Sequence, residues 1–173
     1  VASTYEPIAS QTLGSDTANI EFTSIPGTYT DLVLVLTGRT SRTTDAFEAV
    51  GMRFNSDSGS NYSLTYLLGS GAATASNRAS NITNVEFARF NPSVSGNTSP
   101  AIAVAQIMSY ASTSVFKTVL GSGAASAEAY PVSRYVGLWR STAAITSIRL
   151  QTGLGPNFVS GATASLYGIK AAV

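Results

Sequence analysis

Residues 135–173 read Y-V-G-L-W-R-S-T-A-A-I-T-S-I-R-L-Q-T-G-L-G-P-N-F-V-S-G-A-T-A-S-L-Y-G-I-K-A-A-V. Three short runs alternate apolar with polar side chains there: Tyr135–Arg140, Ile145–Gln151 and Ala162–Lys170. Gly, Pro, Asn and Ser separate them. Such alternation marks β-strands with one buried face, because successive side chains point to opposite sides of a sheet. In the middle run Ser147, Arg149 and Gln151 alternate with Ile148 and Leu150. Nothing catalytic interrupts the stretch, so it reads as architecture.

The same period of two runs back toward the N-terminus. Ala18–Ile25 places Ile20 and Phe22 on one face. Asp31–Thr37, D-L-V-L-V-L-T, is apolar on both faces and is expected to be buried on both sides. Ala49–Phe54 and Tyr62–Leu68 flank the polar loop N-S-D-S-G-S-N and read as a hairpin. Val85–Phe90 and Val115–Leu120 add two more strands. Ala101–Ala111 carries Ala101, Ala103, Ala105 and Ser109 on one face and Ile102, Val104, Met108 and Tyr110 on the other. The large face is expected in the core, with the small face under a second sheet or a neighbouring subunit. About ten short strands with no amphipathic helix predict an all-β, antiparallel two-sheet sandwich. Long connections favour a jelly roll over an immunoglobulin-like domain, whose Cys–Trp–Cys signature is absent. Residues 1–16 read as an N-terminal arm or first strand, and residues 17–173 as a single β-sandwich domain.

Composition narrows the chemistry. The 173 residues include no cysteine and no histidine. Thiolate catalysis, disulfides and Cys-based metal sites are thereby excluded, as is the usual general base near neutral pH. No cofactor and no metal are expected. Charged residues make up 11% and the net charge is +1, against about 25% charged in ordinary domains. There is no field to hold nucleic acid or an anionic membrane, and no segment reaches the ~18 apolar residues of a membrane-spanning helix. A lightly charged surface rich in small residues suits permanent packing against other subunits. Arg outnumbers Lys eight to two, which suits fixed, bidentate contacts. Val1–Pro7 has neither a basic nor an apolar signal region. A small residue at position 1 fits removal of an initiator Met, and the expectation is a complete chain made in a cytoplasm.

Each motif with catalytic overtones fails on context. Ser114-Val115-Phe116-Lys117 matches S-x-x-K, but its S-D-N and K-T-G partners are missing and strand alternation separates Ser114 from Lys117. Gly69-Ser70-Gly71 and Gly121-Ser122-Gly123 continue into no phosphate-binding pattern and read as turns. The two sit in a repeated phrase, L-G-S-G-A-A, which suggests matching loops on one rim of the sandwich. Asn55–Asn61 reads as a turn whose Asn and Asp side chains bond locally, with a weak cation site left open. Glu21, Glu48, Glu86 and Glu128 are scattered, so no carboxylate pair can be placed. No catalytic residue is assigned, and the chain is read as non-enzymatic. The stretches Arg39–Ala46, Gly69–Asn84 and Asn91–Pro100 read as long loops able to serve as contact surfaces.

Ser24–Thr40, Val50–Ser63, Ser109–Leu120, Val136–Leu150 and the closing S-L-Y-G-I-K-A of Ser165–Ala171 carry a resemblance. Together they resemble small all-β structural proteins of tailed bacteriophages, a group that often ends in L-Y-G-I-K or a close relative. The resemblance spans about Thr17 to Ala171. It implies a jelly-roll sandwich acting as a homotrimer in the virion, after synthesis in the host cytoplasm. Two roles stay open. One is a capsid decoration (cement) protein bound to the major capsid protein or other virion proteins. The other is a head or tail fibre domain that binds a host surface glycan. Tyr5, Arg39, Arg42 and Arg78 are the candidate partner-binding residues, on the reasoning that Arg in low-charge, flexible surroundings reaches neighbouring proteins.

Overall fold

Period-two patterning becomes twelve strands and no helix among the described residues of the chain, which are 4–44, 47–92, 98–125 and 132–170 of a computed structural model. In chain order they are β1 (Tyr5–Thr12), β2 (Asn19–Phe22), β3 (Asp31–Gly38), β4 (Glu48–Phe54), β5 (Tyr62–Gly69) and β6 (Thr74–Ile82). They continue with β7 (Val85–Phe90), β8 (Ala101–Met108), β9 (Lys117–Ala124), β10 (Val132–Trp139), β11 (Ile148–Thr152) and β12 (Thr163–Ile169). Residues 5–12 are thus a strand, paired along its length with β12.

The strands form two antiparallel sheets. One runs β1-β12-β3-β8-β9-β10-β5-β6 and the other β2-β11-β4-β7. The sequence β1-β12-β3-β8 facing β2-β11-β4-β7 is the strand order of a jelly roll, in which the chain passes repeatedly from one sheet to the other. Two hairpins are added to that kernel. β5–β6 is inserted between β4 and β7, and β9–β10 between β8 and β11. Both join the first sheet beyond β8, forming a four-stranded wing.

Inward-facing Leu32, Leu34, Leu36, Ile107 and Leu166 meet Ile20, Phe22, Met52, Phe54, Phe87 and Leu150, all essentially buried. Each such side chain contributes roughly 1.5–3 kcal/mol of transfer free energy. On β3 the outward Val33 and Val35 are only half-buried, so that strand is covered fully on one side, not on both as its composition predicts.

The closest approach in the sandwich is β7 against β8, β9 and β10. The floor beneath it is made of Ala103, Ala105, Gly121, Gly123 and Gly137, all buried. A Cβ on Gly121 would lie 2.6 Å from the Phe87 carbonyl oxygen, and one on Gly137 would lie 2.2 Å from a Val85 methyl. This packing reverses two expectations. The small face of β8 is the buried one, and Ile102, Val104 and Met108 face outward. Gly121-Ser122-Gly123 is no turn but lies within β9, where glycine lets β7 approach. Gly69-Ser70-Gly71 does lead into a turn, closed by Ser70 N–H to the Ala73 carbonyl at 2.9 Å. The stretch after it is β6, not a loop. Its T-A-S-N-R-A-S-N-I pattern lacks apolar alternation because an edge strand can be largely wet on both faces.

Gly121→Ala is expected to lower stability by about 1–3 kcal/mol through overpacking. Gly69→Ala, where a Cβ meets nothing within 4 Å, should change the melting temperature little. Thermal unfolding followed by circular dichroism compares the two. Equal effects would contradict the close-packed floor.

Candidate functional site

Register fixes what the wing shows to the outside. One row runs Val35, Val104, Ser122, Arg134 and Leu67 across β3, β8, β9, β10 and β5. The next runs Val33, Gln106, Leu120, Val136 and Thr65, and ends at Arg78 on β6. A third contains Ile102, Ala124 and Val132. Leu67 is 62% exposed, Val132 60%, Val136 52% and Leu120 41%. Leu67, Leu120 and Val136, with Thr65 and Arg134, form a shallow apolar dip of about 230 Å³. A wider recess of about 530 Å³ adjoins it, lined by Ser63, Thr65, Arg78, Ser80, Val136 and Leu138. This outer face is largely apolar, interrupted by Ser122, Gln106 and Thr65, with Arg134 inside it on β10 and Arg78 at its edge on β6.

A second feature lies where the wing curls past the small sheet. The register of β4 with β7 shifts so that Val50 pairs Ala88 while Gly51 pairs Glu86, leaving Phe87 as a bulge. In a regular strand, residues three apart face opposite sides. The bulge puts Glu86 and Arg89 on the same side, with Arg89 Nε 3.4 Å from Glu86 Oε1. The Tyr135 hydroxyl donates to the same oxygen at 2.7 Å. Burial, reinforced by the Glu86 charge, pushes the Tyr135 phenol far up, so it stays a donor. Arg89 stacks 3.8 Å from the Phe47 ring centroid and 5.4 Å from that of Tyr66. Above this network opens a cleft of about 330 Å³, lined among others by Tyr66, Asn77, Asn84, Glu86, Gln151 and Thr152.

The four candidate contact residues do not converge. Tyr5 is exposed at the start of β1, one edge of the large sheet, and Arg78 lies on β6, the opposite edge. Arg39 is half-buried just past β3, where its carbonyl accepts Val159 N–H at 3.0 Å. Arg42 reaches inward. It donates to the carboxylate of the buried Glu48, whose other oxygen accepts Leu154 N–H at 2.8 Å, and to the Thr44 carbonyl at 2.8 Å.

Asn55–Asn61 is a self-bonded turn built on Asp57. Its Oδ1 accepts Gly59 N–H at 2.8 Å, and its Oδ2 accepts Trp139 Nε1–H at 2.7 Å and Asn61 Nδ2–H at 3.0 Å. N–H donors thus surround the carboxylate where a cation would need access, and among the described residues no group of three or more acidic, His or Cys side chains could hold a metal. Burial raises the Asp57 pKa. The bonds from Trp139, Asn61 and Gly59, with the Arg53 charge, outweigh it and hold the group below the ordinary carboxylate value. Tyr62, which bridges Phe54 N–H and the Asp57 carbonyl, is pushed by burial up to about 12. Lys117 is buried, with Nζ donating to the carbonyls of Val115, Ser141 and Thr142 at 2.7, 3.4 and 3.2 Å. Desolvation lowers its pKa. Ser114 is exposed and bonds Ser112 instead, so the S-x-x-K pattern forms no catalytic pair.

No protein-family model and no curated protein matches the chain. Among solved structures, the exo-inulinase of Aspergillus awamori is similar at 13% identity and TM-score 0.41, over 95% of this chain and 29% of the other. An alginate lyase in complex with alginate tetrasaccharide is similar at 8% identity and TM-score 0.34, over 95% and 81%. Domains LG4–5 of the mouse laminin alpha1 chain are similar at 14% identity and TM-score 0.30, over 91% and 40%. The chain spans less than a third of the exo-inulinase chain. These scores are too low to carry the architecture, which rests on the strand order above.

Two outcomes follow from the buried charges. Arg42→Ala is expected to lower stability by about 3 kcal/mol, because it strips the partner from a buried carboxylate, and adding Glu48→Gln should restore part of the loss in urea unfolding. Asp57 stabilises the fold fully above its unfolded pKa of about 3.9 and loses that contribution as pH falls through its lower folded value. Asp57→Asn should therefore be less stable than the parent at neutral pH, with the gap closing toward pH ~2. Unfolding curves read by Trp139 fluorescence across that range would show a constant gap if the carboxylate charge plays no part.

Proposed function

We propose that the chain is a non-enzymatic structural subunit of a tailed-phage virion, a decoration protein that binds the outer capsid shell as a homotrimer and stabilises it. The observation that supports this reading is the apolar outer face of β8 and the adjoining wing. Ile102, Val104, Met108, Leu120, Val132, Val136 and Leu67 are each between 37% and 62% exposed. Together they present on the order of 500 Å² of apolar surface, toward the upper end of what monomers leave uncovered. The resemblance of Ser24–Thr40, Val136–Leu150 and Ser165–Ala171 to phage structural proteins supplies the context.

Magnitudes favour a lattice role. Covering such a face gains roughly 12 kcal/mol at 25 cal/mol per Å², while association costs about 4–15 kcal/mol. One such contact is marginal. Three identical contacts, held together by a trimer on a repeating shell, add through effective concentration. Among the described residues the ionised groups on this side of the large sheet include Arg134, Arg78 and Asp31, which accepts from Gln106 at 3.2 Å.

Quantitative mass spectrometry of purified particles tests the proposal. Copies comparable to the major capsid protein are expected. A small number set by vertices or the tail would move the chain to a fibre, and complete absence would overturn the virion assignment. Leu67→Glu combined with Val136→Glu should abolish shell binding while leaving the melting temperature near that of the parent, because both side chains are exposed. Sedimentation equilibrium should return a trimer.

A further inference from the structure

We infer that the free edge of β6 takes an extended acidic segment of a partner protein as a ninth strand of the large sheet. The inference goes beyond the shell reading, since it rests on the backbone edge of the wing and not on its apolar outer face. The two sheets end in four edge strands, β1, β6, β2 and β7. An edge presents a row of unpaired N–H and C=O groups, and proteins blunt such rows with proline, bulges, short length or cover. Three of the four are blunted here. β1 carries Pro7 and a register shift between Pro7 and Ala9. β2 has only four residues, and the Gln11 side chain of β1 donates to its Glu21 carbonyl. β7 is six residues long, carries the Phe87 bulge and lies on β8, β9 and β10.

β6 is the exception. It runs nine residues without proline, and from Thr74 to Ser80 its pairing with β5 is unbroken. Among the described residues no strand pairs with its other side. An added strand would gain main-chain hydrogen bonds along that length and specificity from its alternate side chains. On the outer face it would meet Ser76, Arg78 and Ser80, which lie level with Leu67, Thr65 and Ser63. On the other face it would meet Ala75, Asn77 and Ala79, which ask for small or polar neighbours.

Charge selects the occupant. The four wing strands β5, β6, β9 and β10 contain no Asp or Glu. Arg78 and Arg134 are their exposed cations, and among the described residues the Arg78 guanidinium has neither a hydrogen bond nor an ion pair. It borders a recess of about 530 Å³ lined by the hydroxyl side chains Ser63, Thr65 and Ser80. Residues directly opposite on antiparallel strands hold their Cβ atoms about 4.5–5.5 Å apart, where opposite charges attract and like charges repel. A carboxylate level with Arg78 therefore satisfies a cation that the chain itself leaves unpaired. A second copy of β6 is the poorer occupant. Full-length two-fold pairing of residues 74–82 centres on Arg78 and sets the two guanidiniums opposite each other.

The test is titration of the ¹⁵N-labelled chain, to millimolar concentration, with an end-blocked nine-residue peptide of alternating Thr and Glu. Two further peptides accompany it. One has Lys in place of Glu. The other is the Thr-Glu peptide N-methylated at every residue, which keeps the charge and removes the pairing donors. Expected are amide shifts clustered at residues 74–80, with binding at least about tenfold weaker for either of the other peptides. Arg78→Ala should weaken the Thr-Glu peptide roughly threefold, and Arg78→Glu should turn the preference to the Lys peptide. Both variants should melt near the parent, because the side chain is exposed. No shift on β6, or equal binding of the N-methylated peptide, would overturn the inference. So would shifts at the same amides on concentrating the chain alone, which would give the edge to a second copy. None of these results depends on copy number in particles, so the shell reading stands or falls separately.

Discussion

Everything distinctive about this molecule depends on how closely β7 lies upon the wing. A strand can settle that near a sheet only over residues with little or no side chain, and Ala103, Ala105, Gly121, Gly123 and Gly137 provide them. The bulky partners in the alternation are then forced to the other side of β8, β9 and β10, where Ile102, Leu120 and Val136 meet solvent. The same seating leaves the far side of β7 looking at the curled β5–β6 hairpin, and the bulge at Phe87 turns Glu86 and Arg89 into that space. The apolar face and the polar cleft are two results of one packing contact.

Much of the architecture is legible in the chain. Period-two alternation locates most of the strands, but the expected hairpin across the polar loop Asn55–Asn61 does not form: the loop carries the chain from β4 in the small sheet to β5 in the large one, and a self-bonded turn looks the same in sequence whether the strands it joins pair or part. Other parts are hidden for physical reasons. When both faces of a strand are apolar, as in Ala101–Met108, hydrophobicity cannot say which is inside, and size decides only once the overlying strand is known. Gly-x-Gly reads equally as a turn or as a close approach. An edge strand such as Thr74–Ile82 has no buried stripe to betray it. The pairing of Glu86 with Arg89 is invisible because a bulge changes the parity of the strand, and parity is all that a pattern offers. The candidate contact residues show a similar limit. Arg42 sits in a polar stretch, yet its partner is Glu48, buried in the adjoining strand.

Charge in this protein is used sparingly and much of it internally. Glu48 is neutralised by Arg42 and a backbone N–H, Lys117 by three carbonyl dipoles, and Asp57 by indole, amide and backbone donors. Such groups contribute strength only while every partner is present. They pin loops to the sandwich: Arg42 and Leu154 through Glu48, Ser141 through Lys117, and Asn61 through Asp57. The outer surface is correspondingly poorer in charge than even the low overall content suggests.

The wing's strand order also has a temporal side. β10 lies between β9 and β5, so the β5–β6 hairpin has no place in the sheet until a segment more than sixty residues later has formed. β1 likewise waits for β12, which pairs with both β1 and β3 and comes last among the strands. A chain emerging from the ribosome therefore carries unpaired edges and apolar strands through most of its synthesis, and contacts this distant in sequence close slowly. Its native state is sealed from the C-terminal end. A nascent chain stopped before Thr163 would be left with β1 and the edge of β3 open to strands from other chains.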